Sequence, residues 1–77
     1  MKATIIILYQ KTKKVQSTNH YNTEEAAQDV FDANTATWHE WDDPNRQHEN
    51  PYRYAMDLIA NPPKGRPIIR RSMYTNN

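Results

Sequence analysis

The run Ala3-Thr4-Ile5-Ile6-Ile7-Leu8-Tyr9 constrains this chain more than any other stretch. It holds four of the eleven Leu, Ile, Val and Phe residues among 77. It is β-branched and apolar, the composition that strands favour. Alternation sets Ala3, Ile5, Ile7 and Tyr9 on one face and Thr4, Ile6 and Leu8 on the other. Apolar residues on both faces predict a central strand, or a strand whose second face meets a partner. The run is far too short to span a bilayer. It follows a single Lys2 and lacks a small-residue cleavage site, so it does not read as a signal peptide.

The other members of the apolar set, Val15, Val30, Phe31, Leu58, Ile59, Ile68 and Ile69, are scattered. One domain over 1–77 is expected, with 75–77 frayed. Its core is thin, so tyrosines, tryptophans and methionines must help fill it. An oligomer interface or a partner is a common further source of burial. There is no cysteine. A disulfide framework and a thiolate zinc site are therefore excluded, and a reducing, cytoplasmic setting is expected.

Gln10 to Lys13 reads as a loop, and Lys14 to Tyr21 as a returning strand. The second strand is weakly apolar, which suits a sheet edge. Asn22-Thr23-Glu24-Glu25 predicts a helix start, with Asn22 as cap and Glu25 completing a capping box. Ala27, Val30, Phe31, Asn34, Trp38 and Trp41 follow at helical spacing. The polar stretch from Asp42 to Glu49 contains Pro44 and reads as a loop. Asn50-Pro51 predicts a second helix, with Tyr52, Ala55, Met56 and Ile59 as its buried stripe and Asn61-Pro62-Pro63 as its end. Lys64-Gly65 is a turn, and Ile68 to Tyr74 a third strand. The expected fold is α+β, ordered β-β-α-α-β. It has a three-stranded sheet, the first strand central, and two helices on one face.

Charge is segregated. Residues 1–22 carry Lys2, Lys11, Lys13 and Lys14 and no acid; residues 58–77 carry Lys64, Arg66, Arg70 and Arg71 and no acid. All nine acids lie between, against Arg46 and Arg53 alone. Either the basic ends fold together into one cationic face, or they neutralise the middle within the fold.

Two segments are candidate sites. Trp38-His39-Glu40-Trp41-Asp42-Asp43 sets two tryptophans on one side of a helix end beside carboxylates. Aromatic anchors with a charged rim suit a protein-binding hot spot, so Trp38, Glu40, Trp41, Asp42 and Asp43 are the candidate partner contacts. The same tryptophans would also serve a core this thin. Pro63-Lys64-Gly65-Arg66-Pro67 resembles the core of an AT-hook, whose extended Gly-Arg-Pro centre lies in the minor groove of A/T-rich DNA. Lys64 stands where that motif usually has arginine. With Arg70, Arg71 and Tyr74, Lys64 and Arg66 make a basic-aromatic cluster, the candidate nucleic-acid contacts. Strand alternation would split it, placing Arg70 with Ile68, Ser72 and Tyr74, and Arg71 with Ile69 and Met73.

The histidines and acids, His20, His39, Asp43, His48 and Glu49, match no metal signature. There is no nucleophile elbow, and a single glycine leaves little means to build a phosphate or oxyanion cradle. A cofactor-free, non-enzymatic protein-binding module is expected, occupying a surface of a larger host protein or nucleoprotein complex. In style it is similar to small accessory proteins of phages and mobile elements, including anti-CRISPR inhibitors. A homodimer and direct nucleic-acid binding through 63–71 are the alternatives, and no membrane partner is expected.

Overall fold

In the computed structural model, which describes residues 1–42 and 52–75, the apolar run becomes β1, Lys2–Tyr9. β1 pairs antiparallel with β2, Val15–Tyr21, on one side. On the other it pairs along its whole length with β3, Tyr54–Asn61, from Lys2 opposite Asn61 to Tyr9 opposite Tyr54. β4, Ile68–Tyr74, pairs antiparallel with β3. The sheet order is β2-β1-β3-β4. One α-helix, α1 (Glu24–His39), follows β2 and continues into a 3-10 turn, Glu40–Asp42.

This corrects the expected β-β-α-α-β fold. Among the described residues the sheet has four strands rather than three, and there is one α-helix. The expected second helix is β3. Its sequence, Tyr-Ala-Met-Asp-Leu-Ile-Ala-Asn, fits both periods. Tyr52, Ala55, Met56 and Ile59 satisfy the helical spacing, while Tyr54, Met56, Leu58 and Ala60 alternate. What decides is β1. A central strand has main-chain groups on both edges that need partners. β3 supplies them, and so holds the place beside β1 expected for residues 68–74. Ladder pairing and burial outweigh the helical preference of Ala, Met and Leu, which amounts to less than about 1 kcal/mol per residue.

The hairpin between β1 and β2 is tight. Lys13 N–H donates to the Tyr9 carbonyl (2.8 Å) and Tyr9 N–H to the Lys14 carbonyl (2.8 Å). Lys13 pays for this turn with a left-handed φ of 62°. The helix cap is Thr23, one residue beyond the Asn22 expected. Thr23 is extended, and its Oγ1 accepts from Ala26 N–H at 3.1 Å. Glu24 and Glu25 therefore occupy the first turn, where they favour the positive end of the helix dipole, and Glu25 does not close a capping box.

α1 covers one face of the sheet. Ala27, Phe31 and Trp38 from the helix bury against Ala3 and Ile5 of β1, Met56 and Leu58 of β3, and Met73 of β4. Ile7, Tyr21, Val30, Tyr52 and Tyr54 close its margins. The Trp38 ring lies 5.3 Å from that of Tyr54 and is stacked on Tyr52 at 6.3 Å. Aromatic area thus supplements the few aliphatic residues. Thr75 is buried, and its N–H and Oγ1 bond to Gln10 Oε1 at 3.2 and 3.0 Å. Asn76 and Asn77 lie outside the described residues.

Candidate interaction site

The aromatic-acidic segment is divided by the fold. Trp38 faces the sheet and is only 6% exposed, so its ring belongs to the core rather than to a contact surface. Glu40 is exposed and Trp41 half-buried in the 3-10 turn, which Asp42 ends. Asp43 lies outside the described residues.

The basic segment is divided too. Lys64 and Arg66 stand exposed in the turn between β3 and β4, where Gly65 takes a φ of 111° that a side chain would strain. Arg70 and Arg71 point to the helix instead. The β3–β4 register runs from Leu58 opposite Arg71 to Ile59 opposite Ile69, leaving Arg70 as an extra residue. Such a bulge breaks the alternation that would put neighbouring side chains on opposite faces. Both arginines reach acids of α1. Arg70 Nε donates to Glu24 Oε1 at 3.1 Å, and Arg71 Nη1 to Asp32 Oδ1 at 2.7 Å. The Arg71 guanidinium also sits 4.4 Å from the Phe31 ring centre, capping the largest completely buried side chain.

The charge segregation resolves accordingly. Two of the C-terminal cations neutralise helix acids. The remaining ones part to opposite ends of the sheet. Lys11, Lys13 and Lys14 occupy the β1–β2 turn, while Lys2, Lys64 and Arg66 lie at the end where Lys2 pairs with Asn61. They do not share one face.

The second face of the sheet is the feature that sequence patterning did not assemble. No described element packs on it. Across the strands run Val15, Leu8, Ala55 and Tyr74; then Thr18, Ile6, Asp57 and Ser72; then His20, Thr4, Ile59 and Ile69. Ile6, Leu8 and Ile59 are half-buried, and Val15, Ile69 and Tyr74 are 58%, 65% and 57% exposed. Polar groups on this face are tied to one another. Asn61 Nδ2 donates to Thr4 Oγ1 (2.8 Å), which also bonds His20 Nδ1 (3.0 Å). Ser72 Oγ donates to Asp57 Oδ1 at 2.6 Å. The signal that could have found this face was the alternation Ala55, Asp57, Ile59 in β3, hidden by its helical reading.

Among the described residues, no three His, Asp or Glu side chains group closely enough to hold a metal ion. No helix among them is long and apolar enough to cross a membrane. No protein-family model, no curated protein and no solved structure matches this chain.

Proposed function

We propose that this chain is a non-enzymatic protein-binding module that occupies a surface of a larger protein or nucleoprotein through the uncovered face of its sheet. One observation carries the reading: Val15, Ile6, Leu8, Ile59, Ile69 and Tyr74 spread apolar surface over a face that no described element covers. Contiguous exposed apolar surface of this kind marks interaction sites. The internally bonded Asp57–Ser72 and Thr4–His20–Asn61 groups reduce the polar desolvation a partner must offset. A phage or mobile-element inhibitor of a host defence complex is the setting we propose, on the small core and the lack of a catalytic motif.

Direct nucleic-acid binding through 63–71 is supported only by Lys64 and Arg66, which are exposed and meet no carboxylate among the described residues. Arg70 and Arg71 would have to leave Glu24 and Asp32 to join them.

The test is capture of the host partner by the wild-type chain against Val15→Glu, Ile69→Glu, and a Glu40→Lys, Trp41→Ala pair. The proposal expects capture to be lost in the first two and kept in the third, with thermal unfolding unchanged in all. Capture kept by both sheet-face variants and lost in the third would move the binding surface to the end of the helix. Steep loss of duplex DNA binding with salt, abolished by Lys64→Ala and Arg66→Ala, would support the second reading.

A further inference from the structure

The two edges of the sheet are not alike. β4 closes one side and β2 the other, with no described strand beyond either. β4 carries Arg70 and Arg71, follows Pro67 and is bent by its bulge, and these are devices that keep an edge from pairing with another chain. β2, Val-Gln-Ser-Thr-Asn-His-Tyr, has no lysine, arginine, carboxylate or proline. Its own bulge falls at Gln16, so Ser17 to Tyr21 pair regularly with Ile7 to Ala3. We infer that this edge pairs antiparallel with the same edge of a second copy of the chain, about a twofold axis at Asn19, joining the two four-stranded sheets into one. The inference uses the main-chain groups of the edge and not the open face, so it stands apart from the partner proposed above.

The main chain sets the register. Tyr9 N–H turns to the β2 side, donating to the Lys14 carbonyl, and Gln10 N–H turns to the β3 side, donating to the Arg53 carbonyl. Main-chain groups alternate between the two edges of a strand, and β1 pairs with β3 without a bulge. Ala3, Ile5 and Ile7 therefore address β2, and their partners Tyr21, Asn19 and Ser17 spend their main-chain groups on β1. Thr18 and His20 turn theirs outward, and Thr18, Asn19 and His20 are all exposed. With Asn19 opposite the partner's Asn19, Thr18 meets the partner's His20 and His20 meets the partner's Thr18. Each of those pairs exchanges both N–H···O bonds. The Asn19 pair is of the closer, non-hydrogen-bonded kind, with Cα atoms about 4.5 Å apart.

A second copy is the occupant this edge selects. Antiparallel pairing of one strand with itself is self-complementary, so a single sequence satisfies both sides. No like charges meet at the seam. Glu24 and Asp32 of α1 reach β4, and helical spacing puts the uncharged Ala26, Ala33 and Thr37 on the opposite flank, towards β2. The exposed polar side chains of β2 give an unrelated extended peptide little to be selected by. The axis stands perpendicular to the sheet, so both helices lie on one side and both open faces on the other. The paired stretch is short, which places the dimer in the weak class that buries less than about 1,200 Å².

The experiment is sedimentation equilibrium of the full chain from about 10 µM to about 1 mM, the range of a weak dimer, with amide exchange by NMR at both ends of it. A monomer–dimer equilibrium should appear. The amides of Thr18 and His20 should gain protection at the higher concentration, and those of Ile68 to Tyr74 should not. Asn19→Lys and Asn19→Glu should each weaken the dimer about tenfold at low salt while keeping the monomer's amide dispersion. An equimolar mixture of the two variants should restore it, because opposite charges then meet across the axis. Ile69→Glu should leave the dimer intact. A monomer throughout the range would overturn the inference. So would a dimer that both Asn19 variants keep, or one that Ile69→Glu abolishes, which would place the seam on the open face.

Discussion

The two faces of the sheet are made by the same strands and differ in what lies over them. On the covered face, Ile5, Met56 and Leu58 meet Phe31 of α1 and are completely buried. On the open face, their chain neighbours Ile6 and Ile59 are half-buried, and Ile69 is largely exposed. Residue type hardly separates the two sets, since isoleucine and leucine occur on both. What separates them is a helix sixteen residues long. The covered face should therefore hold the domain together, while the open one is held by its main-chain ladder and two small polar networks.

The comparison predicts an ordered series of effects, each measurable as a change in urea midpoint at constant m. The largest belongs to Phe31→Ala, which empties the centre of the covered face and removes the ring under Arg71. It should cost about 3–5 kcal/mol and leave a domain this small marginal or unfolded. Retention of a cooperative transition near the wild-type midpoint would break the claim that this face dominates. Thr4→Val comes next. Thr4 belongs to the open face but is buried, and its loss strands Asn61 and His20. The expected cost is about 1–3 kcal/mol, far more than other open-face changes. Thr23→Ala removes the cap of the covering helix and should cost about 1 kcal/mol, with Thr23→Asn restoring most of it. Ile69→Lys is the smallest. A residue this exposed should shift stability by no more than about 0.5 kcal/mol in either direction. A destabilisation as large as that of Thr23→Ala would mean that the open face is covered after all.

The arginines sharpen the same contrast. Arg70 and Arg71 tie β4 to α1 through pairs whose side chains are 34–57% exposed. Solvent screening limits such pairs to about 0–1 kcal/mol. Arg71 has a second contact, the Phe31 ring, so Arg71→Ala should cost more than Arg70→Ala. Equal costs would place the whole effect in the ion pairs.

Much of the covered half was legible along the chain. The alternation of β1 groups Ala3, Ile5 and Ile7 on one face without saying which face is covered, and the helical spacing of Ala27, Phe31 and Trp38 predicts the stripe that meets it. Less of the candidate sites could be read. Trp38 carries identical sequence credentials as a hot-spot anchor and as a core residue. Only its contacts with Tyr52 and Tyr54 put it in the core.

By itself, then, the sequence determined a central β1, a polar edge strand in β2 and one amphipathic helix. Each follows from local composition and a single periodicity. Tertiary structure alone decided the state of residues 54–61, whose apolar residues satisfy both the helical and the strand period. The unpaired edge of β1 settled it, because buried main-chain groups must find hydrogen bonds. It also decided where Arg70 points. Alternation sets it opposite Arg71, but a bulge adds one residue to β4 and turns both guanidiniums towards the carboxylates of α1. In both cases the deciding partner lies far away in sequence and close in space.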